Sequence, residues 1–115
     1  MDDNAAFLEA ATTLLERDGM DVVGTASTIA DALRAVQAVR PDVVLVDISL
    51  GLESGFDLAR RLAEVDGGAA VILISTRDAE DLDELIAAAP ALGFVPKAEL
   101  SAEAIERLVS GPRET

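Results

Sequence analysis

Two unbroken apolar runs, at residues 43–46 and 71–74, constrain the fold of this chain more than any other feature. Neither run alternates with polar residues, which is typical of a strand that is buried on both faces. Stretches with apolar residues at helical spacing lie before, between and after the two runs. Buried strands separated by amphipathic helices predict a parallel sheet that is covered by helices on both sides.

The order of the predicted elements along the chain is α-β-α-β-α-β-α-β-α. The predicted strands lie at 20–26, 43–46, 71–74 and 93–96. Thr28, Asp78 and Ser101 are placed to begin the second, fourth and fifth helices, because their side chains can accept hydrogen bonds from the first turn of a helix. We therefore expect a doubly wound α/β domain.

Composition limits the function of this domain. The chain has 115 residues, of which 50% are hydrophobic, and this suits one domain over residues 1–115 with a polar tail at 112–115. A formal net charge of −13 argues against binding to nucleic acid. The chain contains neither Cys nor His, which excludes disulfides, zinc–thiolate sites and Ser-His triads. No apolar run approaches the length of a membrane span, so we expect a cytoplasmic domain.

Polar side chains follow three of the predicted strands. Asp47 follows the second strand and Lys97 the fourth, while Ser75 follows the third. Because the carboxyl ends of parallel strands meet at one edge of a sheet, these residues are expected to lie together. Each alone also suits a turn, a helix cap or a solvated surface, as does the acidic pair Asp2-Asp3 at the start of the chain. Their joint occurrence favours a functional cluster.

The chemistry that these groups can share is phosphoryl transfer to a carboxylate. A carboxylate such as Asp47 can act as a nucleophile and form an aspartyl phosphate. Asp2, Asp3 and Asp47 supply the carboxylate oxygens that suit Mg²⁺. Lys97 can supply a positive charge and Ser75 a hydrogen bond to the phosphoryl oxygens, whose charge must be stabilised during transfer.

Four motifs carry a resemblance to a known family. They are Asp2-Asp3, the segment 47–55 (DISLGLESG), the strand end Ile74-Ser75-Thr76 and the segment 93–97 (GFVPK). With these motifs, and over essentially its whole length, the chain resembles the receiver domain of two-component response regulators. The resemblance implies a flavodoxin-like fold, like that of single-domain chemotaxis regulators, with five parallel strands in the order 2-1-3-4-5 and helices on both faces.

The resemblance also implies a switch. Asp47 resembles the phospho-acceptor, Lys97 the invariant lysine and Ser75 the switch hydroxyl of the family. Phe94 stands at the aromatic switch position, although alone it suits an ordinary core aromatic equally well. A phosphoryl group adds roughly −1.5 to −2 charge. Ser75 would move toward it, Phe94 would rotate into the vacated space, and the face made by the fourth helix, last strand and fifth helix would change its affinity for partners.

The family's metal site and partners are implied in the same way. Asp3 and Asp47 would bind Mg²⁺ directly, Asp2 largely through water, and Ser49 through its backbone carbonyl. Family members take phosphate from the phosphohistidine of a sensor kinase or a phosphotransfer protein. The chain would thus be a signalling acceptor, not an enzyme beyond its own phosphorylation and dephosphorylation. The output protein is not identified by the sequence, and a homodimer stays open.

The chain departs from the family pattern around the site. Gly51 stands where the family usually has Pro, and Thr76 where it usually has Ala. The usual Lys-Pro order is reversed to Pro96-Lys97, and the proline restricts the backbone beside the lysine. The two positions that tune the lifetime of the phosphoryl group in the family are Ser49 and Arg77.

A larger departure is at the start of the chain. The family begins with an apolar strand that leads into the acidic pair, whereas only Met1 precedes Asp2 in this sequence. Burial of an apolar side chain contributes ~1.5–3 kcal/mol, so four or five missing residues forfeit roughly 6–15 kcal/mol, comparable to the whole stability of a domain. The natural chain could start upstream, another chain could supply the strand, or the remaining strands could close up. We favour the first hypothesis, a truncated first strand.

Two other functions stay open. A pseudo-receiver would be a constitutive protein-interaction module that has the fold without phosphorylation, and the missing strand, Gly51 and the reversed proline motivate this hypothesis. A flavin- or nucleotide-binding enzyme on a similar fold would need a glycine- or hydroxyl-rich phosphate loop after a strand. The segments that follow these strands are not of that kind.

Overall fold

Three parallel strands form the central sheet of the computed structural model, which describes residues 2, 5–50, 53–64, 70–75 and 90–110. They are β1 (Val43–Asp47), β4 (Ala70–Ser75) and β5 (Gly93–Pro96), in the spatial order β1-β4-β5. Two short strands, β2 (Ser49–Leu50) and β3 (Glu53–Ser54), form a separate antiparallel pair. The middle strand, β4, is buried over residues 71–75, as its unbroken apolar run predicts.

Helices cover both faces of the sheet. α1 (Ala5–Arg17) and α4 (Ala102–Ser110) lie on one face, and α2 (Ile29–Val39) and α3 (Gly55–Ala63) lie on the other. The first face buries a cluster that includes Leu15, Ile72, Ile74, Val95 and Ile105. The second buries a cluster that includes Val36, Val46, Leu58, Leu62 and Leu73. This arrangement confirms the predicted α/β class, and the order of the three strands matches the last three of the predicted order.

Two of the predicted helix caps are formed. The Thr28 hydroxyl accepts a hydrogen bond from the Asp31 amide (3.1 Å), and the Ser101 hydroxyl accepts one from the Ala104 amide (3.0 Å). At the other end of α2, Arg40 adopts a left-handed backbone conformation with φ of 48°. This conformation satisfies a helix-end carbonyl and ends α2 before β1 begins.

The segment after β1 folds back tightly, in a place where the sequence predicts no strand. β2 and β3 pair with each other, and the Gly55 amide then donates a hydrogen bond to the Ile48 carbonyl (2.9 Å). A side chain at position 55 would overlap the backbone, since its Cβ would lie 2.0 Å from the carbonyl oxygen of Asp47. Glycine therefore allows α3 to start directly against the end of β1.

The predicted strand at residues 20–26 is wrong, since this segment has no strand pairing with the described residues. It lines a cavity of about 420 Å³ together with residues 43–45 of β1. A strand forms only where a neighbouring backbone can pair with it, and the cavity separates these two segments. In the described structure the strands therefore do not close up around the gap, while the hypothesis of an upstream start stays a prediction.

Several other predictions fall outside the described residues. They concern the helix that follows Asp78, the tail at 112–115, and the residues Asp3, Gly51, Thr76 and Arg77. Of the described helices, none combines the length and the apolar character that a membrane crossing requires.

Candidate functional site

The carboxyl edge of the sheet gathers the polar residues that end its strands. β1 ends at Asp47, which is in register with Ile74, and Ser75 is the next residue of β4. Pro96 is in register with Ser75, so Lys97 lies one residue further along the same edge. The strand register therefore places the predicted carboxylate, hydroxyl and ammonium at one edge of the sheet.

Asp2 reaches the same edge from the N-terminal side of α1. Its amide donates a hydrogen bond to the carbonyl oxygen of Ala26 (3.1 Å). Asp2 is 1% exposed and Asp47 is 5% exposed. Carboxylates with so little access to water require a positive partner, because an uncompensated buried charge is strongly destabilising.

Lys97 is the positive partner of both carboxylates. Its Nζ lies 2.5 Å from Asp2 Oδ2 and 3.2 Å from Asp47 Oδ2, and its side chain is 12% exposed. The ring centroid of Phe7 lies 4.3 Å from the same nitrogen. No other lysine occurs in the sequence. Lys97 therefore carries the single side-chain ammonium group of this sequence.

The carboxylates also set the protonation of this ammonium. Burial lowers the pKa of Lys97, but the hydrogen bonds to Asp2 and Asp47 and the attraction to their charges raise it by more. The pKa of Lys97 therefore lies above its ordinary value of 10.5. Lys97 is therefore positively charged at neutral pH, which its predicted contact with phosphoryl oxygens requires.

Ser75 and Phe94 lie on a common face of the sheet. Phe94 is in register with Leu73, and Ser75 is two residues beyond Leu73 in β4, so these side chains leave the sheet on the same side. Ser75 is 3% exposed, and Phe94 is half-buried against the cluster that contains Leu73. A buried hydroxyl and an aromatic ring thus lie on one face of neighbouring strands, and their role as a switch stays a prediction.

Two residues at this edge were not predicted as part of the site. Helical periodicity explains Phe7 only as an apolar residue of α1, and the motif at 47–55 ends at Gly55 without giving it a role. In the structure the Phe7 ring faces the Lys97 ammonium, and Gly55 packs on the backbone carbonyl of Asp47. The position of Gly55 shortly after the strand that ends at Asp47 is a usable sequence signal, whereas no local pattern links Phe7 to Lys97.

The donor atoms of the site fit Mg²⁺. Asp2 and Asp47 offer buried carboxylate oxygens that already contact a cation, Lys97 Nζ. Among the described residues no group of three metal-ligating side chains is present. Asp3, the third predicted acidic ligand, lies outside the described residues. Ser49 begins β2 shortly after Asp47. Mg²⁺ usually binds through one or two carboxylates and keeps several waters, so two carboxylates are a sufficient protein contribution.

Known proteins match this chain over most of its length. The model of the response regulator receiver domain matches residues 1–109. A response regulator receiver protein of Anaeromyxobacter sp. (strain Fw109-5) is 34% identical over 97 residues, which covers 84% of this chain and 40% of that protein. A LuxR-family two-component response regulator from Aurantimonas sp. SI85-9A1 has a TM-score of 0.85 at 28% identity, covering 99% of this chain and 84% of that chain.

The signal receiver domain of NarL from Mycobacterium tuberculosis is a further structural match. Its TM-score is 0.81 at 27% identity, covering 97% of this chain and 93% of that one. The fold is thus a CheY-like receiver fold. The chain belongs to the family of response regulator receiver domains, which act in two-component systems.

Membership of this family defines a signalling domain and not a classical enzyme. Receiver domains interact with histidine kinases or phosphotransfer proteins, and they generally bind Mg²⁺ at the phosphorylation site. The chain spans less than half of the length of the curated relatives it matches, for example 48% and 40% of two of them.

Proposed function

We propose that this chain is a phosphorylation switch in which Asp47 accepts a phosphoryl group from the phosphohistidine of a sensor kinase or a phosphotransfer protein. The observation that carries the proposal is the contact between a buried carboxylate at the end of β1 and the single lysine of the chain, at 3.2 Å. A second buried carboxylate, Asp2, contacts the same ammonium. Together they supply a nucleophile, a countercharge and metal-binding oxygens.

The transfer step makes one bond and breaks one bond. A carboxylate oxygen of Asp47 bonds to phosphorus while the bond between phosphorus and the donor's histidine nitrogen breaks, leaving its electron pair on that nitrogen. The Lys97 ammonium is close enough to Asp47 to contact a phosphoryl oxygen and to stabilise the charge of the transition state. In hydrolysis, water attacks phosphorus and the Asp47 carboxylate leaves.

Asp2, Asp3 and Asp47, with the backbone carbonyl of Ser49, are the residues proposed to hold Mg²⁺. When bound, the ion neutralises phosphoryl charge and orients the donor. Lys97 contacts two of these carboxylates. We therefore expect Mg²⁺ binding to change the surroundings of the lysine side chain.

The proposed output is a change in shape on one side of the domain. The Ser75 hydroxyl donates a hydrogen bond to a phosphoryl oxygen on Asp47, and Phe94 turns inward to fill the space that Ser75 leaves. Burial of Ser75 and its common face with Phe94 support this coupling. The surface around β5 and α4 then presents a different shape to a protein partner.

The same proposal covers the setting of the domain. Residues 1–115 act as one cytoplasmic unit, and output occurs through contact with a protein that the chain does not identify. The formal charge of −13 favours a partner surface that is not acidic and disfavours nucleic acid. A second copy of this chain stays an open alternative for that partner, which would make the assembly a homodimer.

Intact mass measured after incubation with acetyl phosphate and Mg²⁺ tests the proposal. We expect one added phosphoryl group on the parent chain and none on Asp47→Asn. Asp42→Asn is a matched control, because Asp42 is an exposed acid just before β1 and should leave phosphorylation unchanged. Equal labelling of the parent and Asp47→Asn would refute the assignment of the acceptor.

A pseudo-receiver is the second candidate function. Lys97 contacts both described carboxylates of the site, so each of them has a positively charged neighbour without metal or phosphate. A cavity also lies beside β1 at the place of the implied first strand. A Mg²⁺ titration separates the two functions, since a pseudo-receiver shows no saturable binding that depends on Asp47.

A further inference from the structure

Phe7 lies beside the lysine of the site but outside the set of residues to which the proposed reaction gives a role. It is the third residue of α1, and its half-buried ring packs against the cluster formed by α1, α4 and the sheet. The ring centroid is 4.3 Å from Lys97 Nζ. This distance is well within the range of about 6 Å over which an aromatic face attracts an ammonium group.

Among the described residues, the recorded neighbours of the Lys97 ammonium are of two different kinds. Asp2 and Asp47 attract it through full charges at 2.5 and 3.2 Å, and Phe7 attracts it through the negative face of its ring. The Lys97 side chain is long and has several rotatable bonds, so it can adopt many positions unless its surroundings restrict it. Contact with the Phe7 ring, in addition to the two carboxylates, therefore restricts the positions that the ammonium can adopt.

We propose that Phe7 is a positioning residue that holds the Lys97 ammonium beside Asp2 and Asp47, within reach of a phosphoryl group on Asp47. The inference rests on the proposed phospho-acceptor function. When a metal ion or a phosphoryl group binds to the carboxylate oxygens of Asp2 or Asp47, those oxygens attract the Lys97 ammonium less strongly. The attraction of the ring for the ammonium does not depend on those oxygens. Phe7 thus keeps the lysine in place while its carboxylate partners change.

A pair of substitutions separates this role from simple packing. Phe7→Leu keeps an apolar side chain in the cluster but removes the aromatic face, whereas Phe7→Tyr keeps the face. Ile105→Val is a packing control, because Ile105 is buried in the same cluster and is an aliphatic residue to which the proposed reaction gives no role. Urea unfolding of all three variants establishes how far each is destabilised.

The first readout is the NMR signal of the lysine side chain. Because the sequence has a single lysine, the protons on its Cε are identified without ambiguity. A ring face close to these protons shifts their signal upfield. We expect this shift in the parent and in Phe7→Tyr, and its loss in Phe7→Leu. This measurement needs neither metal nor phosphate, so it tests the contact even if Asp47 is never phosphorylated.

The second readout is the rate of phosphorylation by acetyl phosphate at saturating Mg²⁺. An aromatic–ammonium contact of ordinary strength corresponds to roughly a two- to fivefold effect. We expect Phe7→Leu to be slower by about this factor, and Phe7→Tyr and Ile105→Val to match the parent.

Three results would overturn the proposal. The first is an unchanged rate in Phe7→Leu. The second is a loss of rate that follows destabilisation equally in all three variants, which would mean that Phe7 acts only through packing. The third is a parent chain that accepts no phosphoryl group. In that case the function fails together with the role of Phe7, while the lysine signal shows separately whether the contact exists.

Discussion

Filling the cavity beside β1 should stabilise this protein strongly. The cavity of about 420 Å³ lies between residues 20–26 and residues 43–45, and most of the side chains around it are apolar. The Asp2 amide already bonds to Ala26 at one end. Four β-branched apolar residues joined directly ahead of Met1 can therefore run back through the cavity, parallel to β1, and pair with the backbone on either side.

The size of the effect follows from the number of residues that become buried. Burying four apolar side chains contributes roughly 6–12 kcal/mol, and ordering four backbone residues costs roughly 4–8 kcal/mol. The middle values of these two ranges leave a net gain of roughly 3 kcal/mol, and this corresponds to an increase in Tm of roughly 10 °C for a domain of this size. Circular dichroism melts of the parent and the extended chain measure the shift.

A chain extended by four serine and glycine residues is the matched control, because it has the same length but little apolar surface to bury. Its Tm should stay close to that of the parent. Equal midpoints for the apolar and the polar extension would refute the reasoning, because the cavity would then not be a place where apolar side chains are buried.

Two further predictions concern the site itself. Gly55→Ala should lower the free energy of unfolding by about 1–3 kcal/mol in urea titrations, because the new Cβ meets the Asp47 carbonyl oxygen at 2.0 Å. Gly24→Ala, with no atom within 4 Å of its Cβ, should change it by no more than about 0.5 kcal/mol. Stability should also fall as the pH rises above the ordinary lysine pKa of 10.5, because folded Lys97 keeps its proton to higher pH than the unfolded chain does. Urea titrations between pH 9 and about pH 12 should show no such dependence in Lys97→Met, since the sequence has no Tyr or Cys and no second Lys. The same slope of the unfolding free energy against pH in both proteins would contradict this prediction.

The sequence predicts those parts of the fold that depend on local or periodic signals. The buried run of β4 follows from its lack of polar residues, and the caps at Thr28 and Ser101 follow from side chains that bond to nearby amides. The common edge of Asp47 and Lys97 follows from the rule that parallel strands end on one side of a sheet.

Features that depend on distant neighbours could not be predicted in this way. Residues 20–26 have the composition of a strand, but strand pairing needs a second backbone, and the neighbouring place is a cavity. The contact of Phe7 with Lys97 joins opposite ends of the chain, and periodicity describes only the helix that carries Phe7. The close approach of Gly55 to Asp47 depends on the short β2–β3 ladder, whose pairing no local pattern specified.

The hydrogen bond from the Asp2 amide to Ala26 joins the site of Asp2, Asp47 and Lys97 to a segment, residues 20–26, that pairs with no described strand. Any ligand that binds the Asp2 carboxylate also holds the backbone of Asp2, and with it the partner carbonyl of Ala26. By thermodynamic linkage, a ligand on the Asp2 carboxylate makes local opening of residues 20–26 less favourable, and opening of this segment weakens ligand binding by the same free energy. Hydrogen exchange of the amides in this segment should therefore slow as the site binds ligand. Residues 20–26, which have no role in the proposed reaction, would then report the occupancy of the site.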